Sequence, residues 1–232
     1  MTITTRDQLI DALANNSSRL VIDKASLANA AAGQFFSLWT AGGTPGAGAA
    51  PGAAAVPTKA TTGAFDFDNQ TSPVASYLAW MTANFGNANS NLEIHDRLAH
   101  MSGLSGTVTT AQGALSLVTS DPGADRLGDA NYSDVRWWLE VYTALGATGV
   151  NATVNVTYDD ASSGNLAAIA LGATPRQGRL YPLVSAVAGR FIRSVNSVTL
   201  SATTGTAGNF GITATRPRTS LAAFVANKGE NF

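Results

Sequence analysis

The residues of this chain that could do chemistry are concentrated in one stretch, HDRLAHMSGLSGTVTTAQ at residues 95–112. It holds both histidines of the chain, His95 and His100, with an aspartate, an arginine and several hydroxyls. Two imidazoles on a helix reach one zinc ion when they are four residues apart. These two are five apart, which separates them by about 140° on a helix and puts them on opposite faces of a regular strand. The spacing therefore predicts two structural histidines and no metal site.

Other candidate motifs are equally incomplete. Ser105 lies in GLSGT, which lacks the spacing of a nucleophile elbow, and nothing in the sequence nominates a third group to orient a Ser105–histidine pair. Asp159 and Asp160 could hold calcium with turn oxygens, but EF-hand spacing is missing. The Gly-rich run at 205–211 lies between two strand patterns, which favours a hairpin turn over a phosphate cradle. We therefore expect no enzyme activity, no cofactor and no metal.

Composition limits the class of partner. The chain has 232 residues, of which 12% are charged and none is cysteine, whereas about 25% of an average soluble domain is charged. The formal net charge is −1, and without a basic run the attraction that dominates nucleic-acid binding is missing. No apolar run approaches the roughly 18 residues that span a membrane, and the first residues do not resemble a signal peptide. We expect a protein made in a cytoplasm, with no nucleic-acid or membrane partner and a weakly charged surface that contacts other subunits.

Helix signals occur in the first part of the chain. Thr5 and Gln8 fit a capping box, which predicts a helix over about residues 6–14. SPVASYLAWMTANFG, at 72–86, has a serine N-cap, a proline in the first turn and one apolar stripe, and predicts a second helix. NLEIHDRLAHM, at 91–101, fits a helix or, nearly as well, a strand.

The run at 41–60 is almost entirely Ala, Gly and Pro. Alone it cannot bury enough area to offset the entropy of ordering it, so it is either a flexible linker or an extended arm on a neighbouring subunit. Three large aromatic residues just before it favour the arm, because a free linker would leave them exposed at its root. We predict that an intersubunit interface contains Phe35, Phe36, Trp39, Val56 and Phe232.

From Gly106 onward the character changes to short runs rich in Val, Thr, Leu and aromatics, separated by Gly, Asn, Asp and Pro. About seven such runs, near ten residues apart, are typical of an antiparallel sandwich. We predict a mainly β fold: an antiparallel β-sandwich or jelly roll with short N-terminal helices and an extended Ala/Gly/Pro-rich arm. The predicted parts are an N-terminal helix and arm (1–60), a helical or mixed connecting segment (61–105) and a β-sandwich body with a C-terminal tail (106–232).

Two strands of this body can be oriented by alternation. In VNATVNVTY, at 150–158, every second residue is apolar or aromatic, so we expect one face to enter the core, with Val154 and Val156 buried. RWWLEVY, at 136–142, has large residues on both faces, and we interpret it as a central strand covered on both sides. The alternative is a half-polar face that meets a neighbour or a sugar through Trp137, Trp138 or Tyr142.

Several blocks resemble a family of virion structural proteins of tailed bacteriophages. They are HDRLAHMSGLSGTVTTAQ, WWLEVYTALGATGVNATVNVTY and SVNSVTLSATTGTAGNFGI, preceded in the same order by SLWTAGGTPGAGAAPGAAAVPTKATTGA. The resemblance covers roughly residues 30–215 and implies an assembly role with no catalytic residues. TSDPGADRLGDANYSDV, at 119–135, is a longer loop than the family leads us to expect.

Together these observations suggest a non-enzymatic phage head protein. We expect a decoration or cement protein on the capsid exterior, made in the host cytoplasm and bound to the major capsid protein and to copies of itself as a dimer or trimer. The alternatives are a tail, neck or baseplate component, or a carbohydrate-binding receptor module of the virion.

Overall fold

A computed structural model of the chain describes residues 3–15, 19–27, 31–65, 81–227 and 229–231. Its helices are α1 (Arg6–Asn15) and α2 (Ala124–Leu127). Its strands are β1 (Asp23–Lys24), β2 (Phe35–Phe36), β3 (Gly43–Thr44), β4 (Thr82–Asn84), β5 (Ser90–Leu104), β6 (Leu115–Ser116), β7 (Arg136–Thr143), β8 (Val150–Tyr158), β9 (Ser163–Asn165), β10 (Ile169–Gly172), β11 (Arg179–Leu183), β12 (Ile192–Leu200), β13 (Asn209–Ala223) and β14 (Gly229–Asn231).

The first predicted helix is confirmed as α1, and its capping box is formed. The backbone N–H of Thr5 donates to Gln8 Oε1 at 3.2 Å, and the N–H of Gln8 donates to Thr5 Oγ1 at 3.2 Å. These two bonds satisfy backbone donors that a helix start otherwise leaves unpaired.

The other two helix predictions do not hold where the structure describes them. Residues 82–84 of the predicted second helix form β4, which pairs with β14, while 66–80 lie outside the described residues. For residues 91–101 the strand alternative is right, since they belong to β5. The short helix α2 lies between β6 and β7, a region where the sequence predicted none.

Two five-stranded sheets form the fold. Sheet I has the strand order β2-β11-β7-β13-β5, and sheet II has the order β10-β8-β12-β6 with β9 also paired to β8. Neighbouring strands run antiparallel, for example β7 against β11 and β13, and β8 against β12. The prediction of a mainly β, antiparallel sandwich is therefore confirmed.

The two sheets share one hydrophobic core. Val154 and Val156 are fully buried, as the alternation predicted, and so is Val198, while Leu139 is 1% exposed. Residues of both sheets join one packed cluster. The indole N–H of Trp137 donates to the carbonyl oxygen of Ile192 at 2.7 Å, which ties sheet I to sheet II. This core buries one face of each sheet, so the opposite face of each sheet points away from the core.

The chain divides into two compact units. One comprises 1–22, 65–94 and 218–232, and contains α1 and the β4–β14 pair; the other comprises 23–64 and 95–217. The core and the site described below lie in the second unit. The predicted division into 1–60, 61–105 and 106–232 stays a prediction.

Leu139→Ala should lower the free energy of unfolding by about 2–5 kcal/mol, because truncation leaves a cavity between the sheets. The control Val184→Ala changes a side chain that is 71% exposed, and should shift stability by less than about 0.5 kcal/mol. Urea denaturation followed by tryptophan fluorescence measures both, and equal losses would contradict the placement of Leu139.

Candidate functional site

The side of sheet I that points away from the core, here called the outer face, carries most of the candidate residues. On β7 it presents Trp138, Glu140 and Tyr142, and each is at most 5% exposed. With Trp137, Leu139 and Val141 also buried against the core, both faces of β7 are covered, as predicted. These rings therefore expose too little surface for a sugar to stack on.

An ion pair lies at the centre of the outer face. The guanidinium of Arg97, on β5, donates from Nη1 to Glu140 Oε2 at 2.7 Å and from Nη2 to Glu140 Oε1 at 2.9 Å. The two side chains are 12% and 1% exposed. Bidentate geometry of this kind is the strongest that a carboxylate and a guanidinium form.

Neutral hydroxyls complete the hydrogen bonding of the pair. Thr213 donates its Oγ1 hydrogen to Glu140 Oε2 at 2.6 Å, and the Tyr142 hydroxyl lies 3.2 Å from the same oxygen. Arg97 Nη2 also donates to Ser37 Oγ at 3.1 Å. A buried charge is tolerated only when it is paired and hydrogen-bonded in this way.

The pair controls the protonation of its surroundings. Burial raises the pKa of Glu140, but the Arg97 charge together with the hydrogen bonds from Arg97 and Thr213 outweighs burial, so the net pKa is lowered. Burial, and then the Glu140 charge, raise the pKa of Tyr142. At neutral pH the cluster therefore holds a carboxylate, a guanidinium and a protonated phenol.

His100 belongs to the same cluster as a neutral base. Its Nδ1 lies 3.3 Å from Arg97 Nη1, and a guanidinium can only donate, so this contact requires an unprotonated Nδ1. Burial and then the Arg97 charge lower its pKa to about 4. The ring is 4% exposed, which leaves no room for a substrate at either nitrogen.

His95 is also bonded within the outer face, since its Nδ1 lies 2.9 Å from Thr215 Oγ1. A regular strand would have placed it opposite His100, and that expectation is wrong. Both Leu98 and Met101 enter the core, so the alternation of β5 is interrupted between Arg97 and His100. The interpretation of both residues as hydrogen-bonded, packed histidines agrees with these contacts.

Residues 37–64, here called the cover segment, lie over this cluster. Trp39 is 9% exposed, with its ring centroid 4.5 Å from Arg97 Cζ and 5.3 Å from the ring of His100. Its indole N–H donates to the carbonyl of Ala49 at 2.9 Å. A Cβ on Gly48 would lie 2.3 Å from the Trp39 ring, so only glycine fits where the segment crosses the indole.

Donors from the sandwich hold the rest of the cover segment. Ser102 Oγ donates to the carbonyl of Pro51 at 2.5 Å, and the backbones of Ala55 and His100 exchange bonds of 2.9 and 3.0 Å. Arg126 Nη1 donates to the carbonyl of Pro57 at 2.9 Å. The Ala/Gly/Pro run therefore lies against the sandwich of its own chain. Neither alternative, a flexible linker or an arm on a neighbouring subunit, predicted this position.

The predicted interface residues occupy different environments. Phe35 is 50% exposed with its ring centroid 5.5 Å from that of Trp138, and Phe36 is half-buried with its ring 5.7 Å from Arg179 Cζ. Trp39 is already packed within the chain, Val56 is half-buried, and Phe232 lies outside the described residues. Their assignment to an intersubunit interface stays a prediction, and Phe35 is the most exposed of those that the structure describes.

The remaining motifs show no catalytic geometry. Ser105 Oγ lies 2.9 Å from Thr107 Oγ1 in a turn. Arg190 forms ion pairs with Asp159 and Asp160 at 3.5 and 2.9 Å. In the described part of the chain, no three or more His, Asp or Glu side chains are grouped as metal ligands.

Sequence reasoning missed the partner of Glu140. The signal for such a partner was the single glutamate inside RWWLEVY. If both faces of this strand are covered, its carboxylate is buried and requires a positively charged side chain beside it. Arg97 was available in the same stretch as the histidines, but 43 residues separate it from Glu140. Nothing local links the two positions.

Glu140→Leu should destabilise the fold by about 3–5 kcal/mol, because it leaves the Arg97 guanidinium buried without its carboxylate. The double variant Arg97→Met/Glu140→Leu should recover most of that loss, since apolar side chains can replace a buried pair. The control Asp134→Asn removes the partly exposed pair with Arg216 and should cost about 0–1 kcal/mol. Strictly additive losses in the urea-denaturation cycle would contradict the coupling of Arg97 and Glu140.

Stability should also fall as the pH drops from about 6.5 to about 4. The folded pKa of His100 is about 4, below the roughly 6.5 of an unfolded chain, so in this window the unfolded state binds more protons. The loss should reach about 3 kcal/mol, while Glu140, whose pKa is also lowered, adds its loss at more acidic pH. His100→Gln should flatten the curve of urea midpoint against pH above about 4; an unchanged slope would contradict the assignment.

No protein family, curated protein or solved structure matches the chain. Among the described residues, no helix has the length and hydropathy to cross a membrane. Any function must therefore be argued from the chain's own residues.

Proposed function

We propose that the chain is a non-enzymatic structural protein of a tailed-bacteriophage virion, most specifically a decoration protein. It is made in the host cytoplasm and binds the capsid exterior, where it contacts the major capsid protein and copies of itself. Its role is to stabilise the head by bridging capsomers.

The observation that carries this proposal is the helix α1, whose apolar side chains are not buried in the chain. None of the residues of α1 is buried, and Leu9, Ile10 and Leu13 are 45%, 51% and 48% exposed. A helix of this length is marginal in water unless it packs one face against something else. Because these side chains follow one stripe, α1 is suited to docking on another protein.

The residues after α1 extend the exposed apolar surface. Leu20, Val21 and Ile22 are 46%, 54% and 37% exposed. Each such side chain contributes about 1.5–3 kcal/mol when it is fully buried. Many copies with weak contacts of this kind hold a shell together collectively, which is how a cement protein acts.

The buried cluster on the outer face of sheet I also favours a structural role over a catalytic one. Its acid, base and phenol, Glu140, His100 and Tyr142, are satisfied by one another or by Arg97 and lie at most 4% exposed. A general acid or base must reach the proton that it transfers. The resemblance of several sequence blocks to phage virion proteins supports the same conclusion.

The alternative within the virion is a tail, neck or baseplate component. Exposed apolar residues suit either location, so copy number separates them: on the order of hundreds of copies for a head decoration and about a dozen for a neck ring. A carbohydrate-binding module is less well supported, because the aromatic rings that would carry it are buried.

The test is to locate and count the chain in virions of the phage that encodes it. Antibodies against the recombinant protein should label intact heads in electron micrographs, and quantitative gels should give hundreds of copies per particle. Recombinant Ile10→Asp/Leu13→Asp protein should bind undecorated heads at least tenfold more weakly than wild type, while Asp7→Asn, on the same helix, should bind normally. Virions without the chain would contradict the proposal, and labelling of tails or necks would select the alternative.

A further inference from the structure

The loops of the sandwich form two ends of very different charge. Strand register places the loops 144–149, 172–178 and 201–208 at one end, because Thr143 pairs with Asn209, Val150 with Gly172, and Ala152 with Leu200. The loop 104–113 lies at the same end, since the N–H of Gly106 donates to the carbonyl of Ala207 at 2.6 Å. We call this the uncharged end. The loops 117–135, 159–163 and 184–191 lie at the opposite end, here called the charged end.

The contrast exceeds what composition alone would produce. The uncharged end has a single charged residue, Arg176, among its 31 positions. The charged end has eight among 32: Asp121, Asp125, Arg126, Asp129, Asp134, Asp159, Asp160 and Arg190. At the chain average of 12% charged residues, each end would carry about four. The uncharged end is therefore depleted in charge, as the centre of a protein interface is.

Hydrogen bonds between the loops preorganise the uncharged end. Thr204 is fully buried; its Oγ1 accepts from the N–H of Gly146 at 3.1 Å and donates to the carbonyl of Thr206 at 2.8 Å. Its backbone N–H donates to the carbonyl of Gly106 at 2.8 Å. Three of the four loops thus meet at one residue, Thr204, and such a surface loses little entropy on docking.

The fourth loop is bonded to the same cluster. The N–H of Thr174 donates to the carbonyl of Gly146 at 3.0 Å, and the N–H of Leu145 donates to that of Pro175 at 3.0 Å. A Cβ on Gly146 would lie 1.8 Å from the carbonyl oxygen of Thr204. Glycine is needed there because the loops approach each other backbone to backbone.

The chemistry of this surface is complementary to itself. Seven of its threonines are exposed: Thr107, Thr109, Thr110, Thr148, Thr174, Thr203 and Thr206. A hydroxyl both donates and accepts, so it can pair with an identical group, which a carboxylate or an ammonium cannot do. A two-fold contact also brings each patch against its own copy, where charges near the axis would repel.

The available area is sufficient for such a contact. Five strands about 4.8 Å apart and two sheets about 10 Å apart, with their side chains, give an end of about 24 by 20 Å, or ~500 Å² per copy. The total of ~1,000 Å² reaches the lower limit of specific interfaces.

We propose that two copies of the chain associate through the uncharged end, with the charged ends pointing away from the contact. This inference rests on the self-association that is part of the proposed function, and it identifies the surface through which the two copies would bind. A partner with a charged docking site would not find a complementary charge here, which favours a second copy over a heterologous partner.

The test measures the oligomeric state of the full chain by sedimentation velocity and light scattering across micromolar to millimolar concentrations. Wild-type protein should form a dimer. Thr109→Asp/Thr203→Asp should raise its dissociation constant at least tenfold, because the new carboxylates would be desolvated at the contact or face their copies. The control Thr119→Asp/Ala186→Asp adds the same charge at exposed positions of the charged end and should leave the dimer intact, and circular dichroism confirms that each variant is folded.

Several results would overturn the inference. They are a monomeric wild-type protein, a dimer that resists the Thr109/Thr203 charges but dissociates with Ile10→Asp/Leu13→Asp, and equal dissociation by the control charges. These outcomes are separable from failure of the proposed function. A monomer that labels phage heads keeps the decoration role and removes the self-contact, whereas a dimer absent from virions does the reverse.

Discussion

The burial of the Arg97–Glu140 pair on the outer face of sheet I is the constraint from which the covering structure follows. Two charges removed from water cost several kcal/mol each unless their geometry and hydrogen bonding are nearly complete. Bonds of 2.7 and 2.9 Å join the pair, and the Thr213 and Ser37 hydroxyls add to it. Ser37 is the first residue of the cover segment, and Trp39 lies over the guanidinium. The Arg97–Glu140 pair is therefore fully hydrogen-bonded and shielded from water only when that segment is in place.

The same constraint explains how a segment without a core of its own becomes ordered. Its carbonyls accept from side chains of the sandwich, Ser102 at Pro51 and Arg126 at Pro57, and these bonds do not require large side chains on the segment. Small residues are instead needed for close approach, since Gly48 lies against the Trp39 ring. A composition that suggests disorder when it is considered alone thus suits a backbone that lies flat on a polar, buried surface.

What the sequence predicted well is what depends on local pattern. Alternation in β8 identified its core face, the two-sided aromatic content of β7 identified a covered strand, and Thr5 with Gln8 identified the start of α1. What it missed depends on distant residues. The helix pattern at 72–86 could not reveal that Thr82–Asn84 pairs with Gly229–Asn231, nor could any local rule join Arg97 to Glu140. In β5 the interrupted alternation hid the common face of His95 and His100, because parity arguments assume a regular strand.

The polar side chains that already have hydrogen-bond partners within the chain also limit where another protein can bind. The core and the cover segment occupy the two faces of sheet I at β7. On the outside of sheet II, Asn155 donates to Asn165 at 2.7 Å, Asn196 donates to Asn155 at 2.8 Å, and Thr157 donates to Asn196 at 3.0 Å. A partner that binds this face would have to replace side-chain hydrogen bonds that are already formed, with little net gain in free energy. Association therefore favours surfaces whose groups still face water, which are the threonine-rich uncharged end and the apolar stripe of α1.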